Sequence, residues 1–124
     1  MLLRDNAGEV FYHDIPEPDR SRYVTLLGKH PAGANGTAVE RAGYEAVPST
    51  YVFTTLDRAL TVEHQRVAME RARTHVRERV VAGEALTEPF GGTLGEFSVE
   101  SGHSAMISKP GELAGILGML VEGV

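Results

Sequence analysis

The sequence contains no cysteine among its 124 residues, which excludes disulfide bonds and thiol chemistry. Such an absence is typical of proteins from a reducing compartment. Long apolar runs are missing as well. The N-terminal segment 1–10 lacks the apolar stretch of a signal peptide, and the apolar stretch 113–121 is too short to span a bilayer. We therefore expect a soluble, cytoplasmic protein with no membrane partner.

Positive charge is scarce: 12 lysine and arginine residues stand against 17 acidic residues, so the formal net charge is -5. Proteins that bind nucleic acid non-specifically present a basic face to the phosphates, and this balance therefore predicts no nucleic-acid partner. The one basic concentration, residues 66–79, alternates with glutamates. We interpret it as a solvated helix face with ion pairs between positions i and i+4.

Metal and phosphate sites are not indicated either. His64 and His75 lie on one predicted helix about three turns apart, which is too far to share a metal ion. The run 91–93 lacks the strand and the helix that frame a phosphate-binding loop. The pair His13-Asp14 stands alone in the sequence, and we interpret it as structural. We therefore expect neither a cofactor nor a metal.

The remaining residues follow an α/β pattern. Residues 49–56 form an aromatic and β-branched run that predicts a buried strand, and a helix follows with Thr61 as its N-cap. A second strand is predicted at 96–100, and an amphipathic helix begins near Pro110. The order strand–helix–strand–helix predicts a parallel α/β unit. Ahead of this unit, a short helix is predicted over 17–28.

Two titratable residues directly follow the two predicted strands. Asp57 comes after the first strand and His103 after the second, so both would lie at the same edge of a parallel sheet. An aspartate in that position can hold a histidine ring in the tautomer whose other nitrogen acts as a base. Two plainer interpretations stay open from position alone. Asp57 could cap a turn, and His103 could be a loop histidine that binds the backbone.

Three segments resemble a known family, the esterase-like α/β-hydrolases, a group that includes hydroxynitrile lyases, plant methyl esterases, and bacterial and fungal ester hydrolases. Residues 48–60, PSTYVFTTLDRAL, resemble the strand that bears the catalytic acid in that family. Residues 101–114, SGHSAMISKPGELA, resemble the loop of the catalytic histidine and the final helix, and residues 11–16, FYHDIP, resemble the start of the cap.

The resemblance implies a partial α/β-hydrolase fold, in which C-terminal parallel strands with flanking helices are joined by part of a cap. Residues 1–47 would form the cap- or lid-like segment and residues 48–124 the C-terminal part of the core. By the same resemblance, Asp57 is the acid of the catalytic triad and His103 is its general base. The expected substrate of the complete protein is a small-molecule carboxylic ester, cleaved by serine acyl transfer.

Two features depart from the family pattern. No Gly-x-Ser-x-Gly nucleophile elbow occurs in the sequence, and the resemblance places the serine and the oxyanion-hole loop before residue 1. The link between Asp57 and His103 is also longer than in most of these relatives. Its excess falls at about 77–95, where an insertion could displace the second strand and the histidine. We expect the chain to be inactive alone.

Two further interpretations remain open. The chain could be a non-catalytic binding remnant of a hydrolase, or a small self-sufficient esterase with an unconventional serine. Ser101 and Ser104 flank His103, although neighbours on one loop rarely align with the ring nitrogen. A partial sheet would also expose an unpaired strand edge, which predicts a homodimer or an association through that edge. The sequence does not distinguish ester cleavage from cyanohydrin cleavage, because the same triad residues serve both reactions.

Overall fold

A computed structural model describes residues 6–29, 33, 36, 38, 40–45, 47–83 and 95–122 of the protein. The described residues form a mixed α/β structure, as the sequence predicts. Its regular elements, besides one 3-10 turn at Gly43–Glu45, are α1 (Ala7–Phe11), α2 (Asp19–Leu26), β1 (Tyr51–Thr54), α3 (Val62–Val81), β2 (Glu96–Val99), α4 (Ala105–Ser108) and α5 (Pro110–Glu122).

The two strands pair in parallel, with Tyr51 opposite Glu96 and Thr54 opposite Val99. The predicted parallel arrangement is thereby confirmed. Phe53 of β1 and Val99 of β2 are both buried. β-branched and aromatic side chains of this kind pack well on a pleated surface that is covered on one face.

Helix α3 connects the two strands and begins where the sequence predicts. The Thr61 hydroxyl accepts a hydrogen bond from the backbone N–H of His64, so Thr61 is the N-cap. Met69 and Val76 of this helix are buried. Gln65 is buried on the same helix, although its polar character gave no indication of that position.

Three arginines of α3 contact residues outside their own helix, whereas Arg77 pairs with Glu70 within it at 4.0 Å. The Arg66 guanidinium lies 4.9 Å from the centre of the Phe53 ring. Arg73 pairs with Glu96 at the start of β2, and Arg79 pairs with Glu45 beyond the helix. The expected i,i+4 ion pairs are not formed by Arg73 and Arg79, because tertiary contacts bring acids of other segments to this helix. Arg66 is exposed, in agreement with the expected solvated face.

Two short helices were not predicted from the sequence. Helix α1 has 5 residues, and α4 has 4 residues within the segment that was interpreted as a loop. Neither is long enough to display a full amphipathic repeat, and neither has a side-chain N-cap hydrogen bond. Helix α2 lies within the segment 17–28 that was predicted as helical.

The last helix, α5, begins at Pro110, where the sequence predicts it, but its apolar stripe is only partly covered: Ile116 is buried, whereas Leu117 and Val121 are exposed. Of the expected insertion at about 77–95, residues 84–94 lie outside the described part of the chain. The remainder completes α3 and the turn at Gly83. Strand β2 stays in register with β1, so the long link does not displace it. Within the described ranges, no helix combines the length and apolarity needed to cross a membrane.

Candidate active site

Asp57 closes a tight turn directly after β1. Its Oδ1 atom accepts hydrogen bonds from the backbone N–H groups of Ala59 at 2.8 Å and Leu60 at 2.9 Å. Its Oδ2 atom accepts one from the Thr54 hydroxyl at 3.0 Å. The turn-capping interpretation of Asp57 is therefore correct. It also leaves the carboxylate rigidly oriented, because three separate donors fix both of its oxygens.

The same carboxylate meets the imidazole of His103. The Nδ1 atom of His103 lies 2.9 Å from Asp57 Oδ2 and 3.2 Å from Oδ1. A carboxylate only accepts hydrogen bonds, so Nδ1–H is the donor, and in a neutral ring the lone pair is then on Nε2. The expected meeting of the two residues across adjacent parallel strands is confirmed. His103 binds a side chain here, and not the backbone as the plainer interpretation held.

The two loops are joined because the strand pairing continues beyond the strands. The backbone N–H of Thr55 donates to the carbonyl of Val99 at 3.0 Å, and that of Leu56 donates to the carbonyl of Ser101 at 3.0 Å. These bonds hold the two segments together at the same edge of the sheet. The second bond involves Leu56, the residue directly before Asp57. The side-chain contact is therefore a consequence of the backbone register.

Asp57 and His103 differ sharply in the exposure of their side chains. The Asp57 side chain is only 4% exposed, whereas that of His103 is 40% exposed. Burial disfavours the charged carboxylate, but the hydrogen bonds from Leu60, His103, Thr54 and Ala59 outweigh it and hold the pKa of Asp57 below its ordinary value. The aspartate is therefore ionised at neutral pH beside an accessible imidazole.

Helix α1 covers one face of this imidazole. The centres of the Phe11 and His103 rings lie 5.2 Å apart, with 55° between their planes. This tilted arrangement is one that aromatic pairs favour. The contact was not identified from composition or periodicity, since Phe11 precedes His103 by most of the chain. The only sequence signal was the resemblance of residues 11–16 to a cap segment.

The pair His13-Asp14 approaches both loops of the site. The His13 Nε2 atom lies 2.8 Å from the carbonyl oxygen of Leu56. The Asp14 Oδ2 atom accepts a hydrogen bond from the backbone N–H of Gly102 at 2.6 Å. These contacts agree with the structural interpretation of the pair. Sequence reasoning did not connect it with Asp57 and His103, because no local pattern relates segments so far apart.

Neither serine beside His103 is placed as a nucleophile. Ser101 is 0% exposed, and its hydroxyl donates to the carbonyl of Gly102 at 3.2 Å. Ser104 is also buried. No hydrogen bond joins either hydroxyl to the imidazole in the part of the chain that the structure describes. This geometry disfavours the self-sufficient esterase that was left open above.

The other histidines contact different groups. His64 Nδ1 lies 2.9 Å from the Thr61 hydroxyl, and His75 Nε2 lies 3.2 Å from Glu45 Oε1. Among residues 6–29, 47–83, 95–122 and the shorter described stretches, no group of three or more His, Cys, Asp or Glu side chains is arranged to hold a metal ion. A shallow concavity on α3 does not include Asp57 or His103. Its lining residues are Val67, Glu70, Arg71 and Thr74.

The candidate site therefore comprises a buried, ionised aspartate and a half-exposed histidine at the carboxyl edge of a parallel strand pair. No protein-family model matches the chain, and no curated protein or solved structure is significantly similar to it.

Proposed function

We propose that this chain contributes the acid and the histidine of a serine hydrolase triad that cleaves small-molecule carboxylic esters. The observation that carries the proposal is the contact between His103 Nδ1 and the Asp57 carboxylate at the ends of adjacent parallel strands. In this proposal, residues 48–124 are the C-terminal part of an α/β-hydrolase core. Residues 1–47 are part of its cap.

The proposed reaction uses each residue at a stated atom. A serine hydroxyl attacks the ester carbonyl while the Nε2 atom of His103 removes its proton. The resulting imidazolium returns that proton to the leaving alcohol, and the acyl-enzyme is then hydrolysed by the same exchange with water. Asp57 keeps its charge throughout, orients the ring and stabilises the imidazolium.

The serine must come from polypeptide other than these 124 residues. The sequence contains no Gly-x-Ser-x-Gly elbow, and the two serines beside His103, Ser101 and Ser104, are buried. Apolar side chains that flank the pair in sequence are exposed: Leu56, Leu60 and Met106. Exposed apolar groups beside an accessible base favour a face that further polypeptide or an apolar substrate covers.

A second candidate function is a non-catalytic binding module that keeps the cap and one wall of a former pocket. The missing elbow favours it directly, because an acid and a base without a nucleophile and an oxyanion hole perform no acyl transfer. The two candidates make different predictions about a longer polypeptide, which is the basis of the following experiment.

The experiment compares the chain with the polypeptide obtained by extending it upstream to include an in-frame Gly-x-Ser-x-Gly, if the gene encodes one. A fluorophosphonate probe should label no serine in the chain alone and one serine in the extended protein. The extended protein should hydrolyse a short-chain chromogenic ester. His103→Ala should abolish that turnover with little change of fold, and Asp57→Asn should lower it by about 10⁴-fold.

His64→Gln is the matched control, since His64 is an exposed histidine on α3 that contacts Thr61. It should retain the turnover of the extended protein. Turnover that persists in His103→Ala would refute the proposed role of this residue. Absence of any upstream elbow, or an extended protein that is labelled by no probe, would favour the binding module. Labelling of Ser101 or Ser104 in the chain alone would contradict both proposals.

A further inference from the structure

His13 and Asp14 contact the backbone of the residues that immediately precede the two members of the acid–base pair. His13 Nε2 lies 2.8 Å from the carbonyl of Leu56, and Leu56 precedes Asp57. Asp14 Oδ2 accepts from the N–H of Gly102 at 2.6 Å, and Gly102 precedes His103. Two consecutive side chains thus bind both loops of the candidate site.

The turn that presents these side chains is itself held in place. Arg20 donates from Nη2 to the carbonyl of His13 at 2.8 Å and from Nε to the carbonyl of Ile15 at 3.0 Å. Arg20 also pairs with Glu9 of α1 at 3.0 Å. The Ile15 side chain is buried. The turn is therefore held at two carbonyls and by one buried side chain, independently of the Asp57 and His103 loops. A turn held in this way limits the positions that the two loops can take.

Gly102 shows how closely the turn approaches the histidine loop. A Cβ atom on Gly102 would lie 2.6 Å from Asp14 Oδ1 and 2.8 Å from His13 Nε2. Both distances are far below ordinary van der Waals contact. Only glycine lets the backbone come this near to His13 and Asp14. Because of this close approach, the Asp14 carboxylate contacts the backbone N–H of Gly102, the residue directly before His103.

We infer that His13 and Asp14 are positioning residues that set the spacing of the Asp57 and His103 loops and thereby keep His103 in its Nδ1–H tautomer. The geometry supports this role because one rigid turn binds the residue before each partner. The catalytic meaning of the inference depends on the proposed ester hydrolysis. The tautomer itself is a property of this chain and is measured without any substrate.

The experiment is nuclear magnetic resonance of the full chain at neutral pH, labelled with ¹⁵N in histidine and glycine. His103→Gln identifies the His103 signals among the five histidines. In the wild type, the Nδ1–H proton should resonate far downfield and exchange slowly with water. The Gly102 amide should also be shifted by its charged acceptor.

In Asp14→Ala, the Gly102 amide should lose this shift. The His103 Nδ1–H proton should exchange about tenfold faster, the order expected when a charge-assisted hydrogen bond that orders the loop is lost. Signals of the Nε2–H tautomer should appear alongside. Asp19→Asn is the matched control, because it removes one exposed negative charge from the same segment. It should leave the His103 signals unchanged.

Two conservative variants cover the case in which Asp14→Ala does not fold. Asp14→Asn keeps the size and an acceptor oxygen and should give a smaller change in the same direction. His13→Gln leaves Asp14 in place and should also accelerate exchange of the His103 proton. A folded variant that loses the Gly102 shift but keeps the slow His103 proton and the single tautomer would overturn the inference.

The outcome also separates this inference from the proposed function. If the wild type itself lacks the Nδ1–H tautomer, the acid–base pair fails, and the positioning role fails with it. If the wild type has that tautomer and the three variants retain it, only the positioning role of His13 and Asp14 is overturned. Failure of the extended protein to hydrolyse esters, with the tautomer results as expected, counts against the proposed function alone.

Discussion

The side-chain amide of Gln65 binds both backbone polar groups of Thr54. Its Oε1 atom accepts from the Thr54 N–H at 3.1 Å, and its Nε2 atom donates to the Thr54 carbonyl at 3.0 Å. The same Nε2 atom also lies 2.7 Å from the carbonyl of Leu60 and 3.1 Å from the Thr54 hydroxyl, so its two hydrogens are shared among three acceptors. A single side chain, 1% exposed, therefore closes the turn in which Asp57 lies.

Replacing Gln65 with Leu should destabilise the protein by about 3 kcal/mol, because it removes the side chain that binds the half-buried Thr54 N–H and the Leu60 carbonyl. Urea unfolding followed by circular dichroism measures the loss. Val67→Ala on the same helix is the control, since Val67 is exposed and its truncation should cost under about 0.5 kcal/mol. Equal midpoints for the two variants would contradict the role of Gln65.

The free energy of unfolding should decrease at acidic pH, because the Asp57 carboxylate becomes protonated. Burial opposes its ionisation, yet the hydrogen bonds from Leu60, His103, Thr54 and Ala59 leave its pKa below the ordinary value. A lowered pKa in the folded state contributes stability above the unfolded-state value of about 3.9. That contribution is lost as the pH falls through the folded-state pKa.

The urea midpoint, measured from neutral to acidic pH, tests this expectation. Wild type and Asp57→Asn should differ most at neutral pH, and the difference should shrink as acid protonates the wild-type carboxyl. Asp19→Asn should show the same pH dependence as the wild type, since Asp19 is exposed in the first turn of α2. A difference that stays constant down to strongly acidic pH would contradict the assignment.

Gly102→Ala should destabilise the protein by about 1–3 kcal/mol, the usual cost of an added group that must displace well-packed neighbours. The new methyl would meet Asp14 and His13 at less than 3 Å. Gly115→Ala is the matched substitution within α5, where a Cβ has nothing within 4 Å. It should stabilise the protein by about 0.5–1 kcal/mol, because alanine is the better helix former.

Thermal unfolding of these two glycine variants should therefore move in opposite directions. Two shifts of the same sign would show that Gly102 is not confined by the turn that carries His13 and Asp14.

The ring of Phe11 should be energetically coupled to His103. Aromatic pairs in this tilted arrangement, here 5.2 Å apart, contribute about 0.5–1.5 kcal/mol beyond the area that they bury. A double-mutant cycle with Phe11→Leu, His103→Gln and the double variant isolates that term. A coupling energy of zero would indicate that α1 covers the imidazole without contributing to its position.

The positions of Asp57 and His103 could be predicted from the sequence, because each residue directly follows a strand. The aromatic and β-branched run before Asp57 and the alternation before His103 indicate two strands, and parallel strands bring their following residues to one edge. The residues that support the pair were not predictable in the same way. Gln65 occurs in a polar helix, and Phe11 and Asp14 act across most of the chain length, where no local periodicity connects them.

Local chemistry explains this division. The sequence by itself determined the mixed α/β character, the start of α3 at Thr61 and the positions of Asp57 and His103 after their strands, since each follows from neighbouring residues. Only the tertiary structure decided which partners fill the remaining hydrogen-bond positions. The N-terminal turn at His13 and Asp14 binds both loops because folding brings distant backbone groups within hydrogen-bond range.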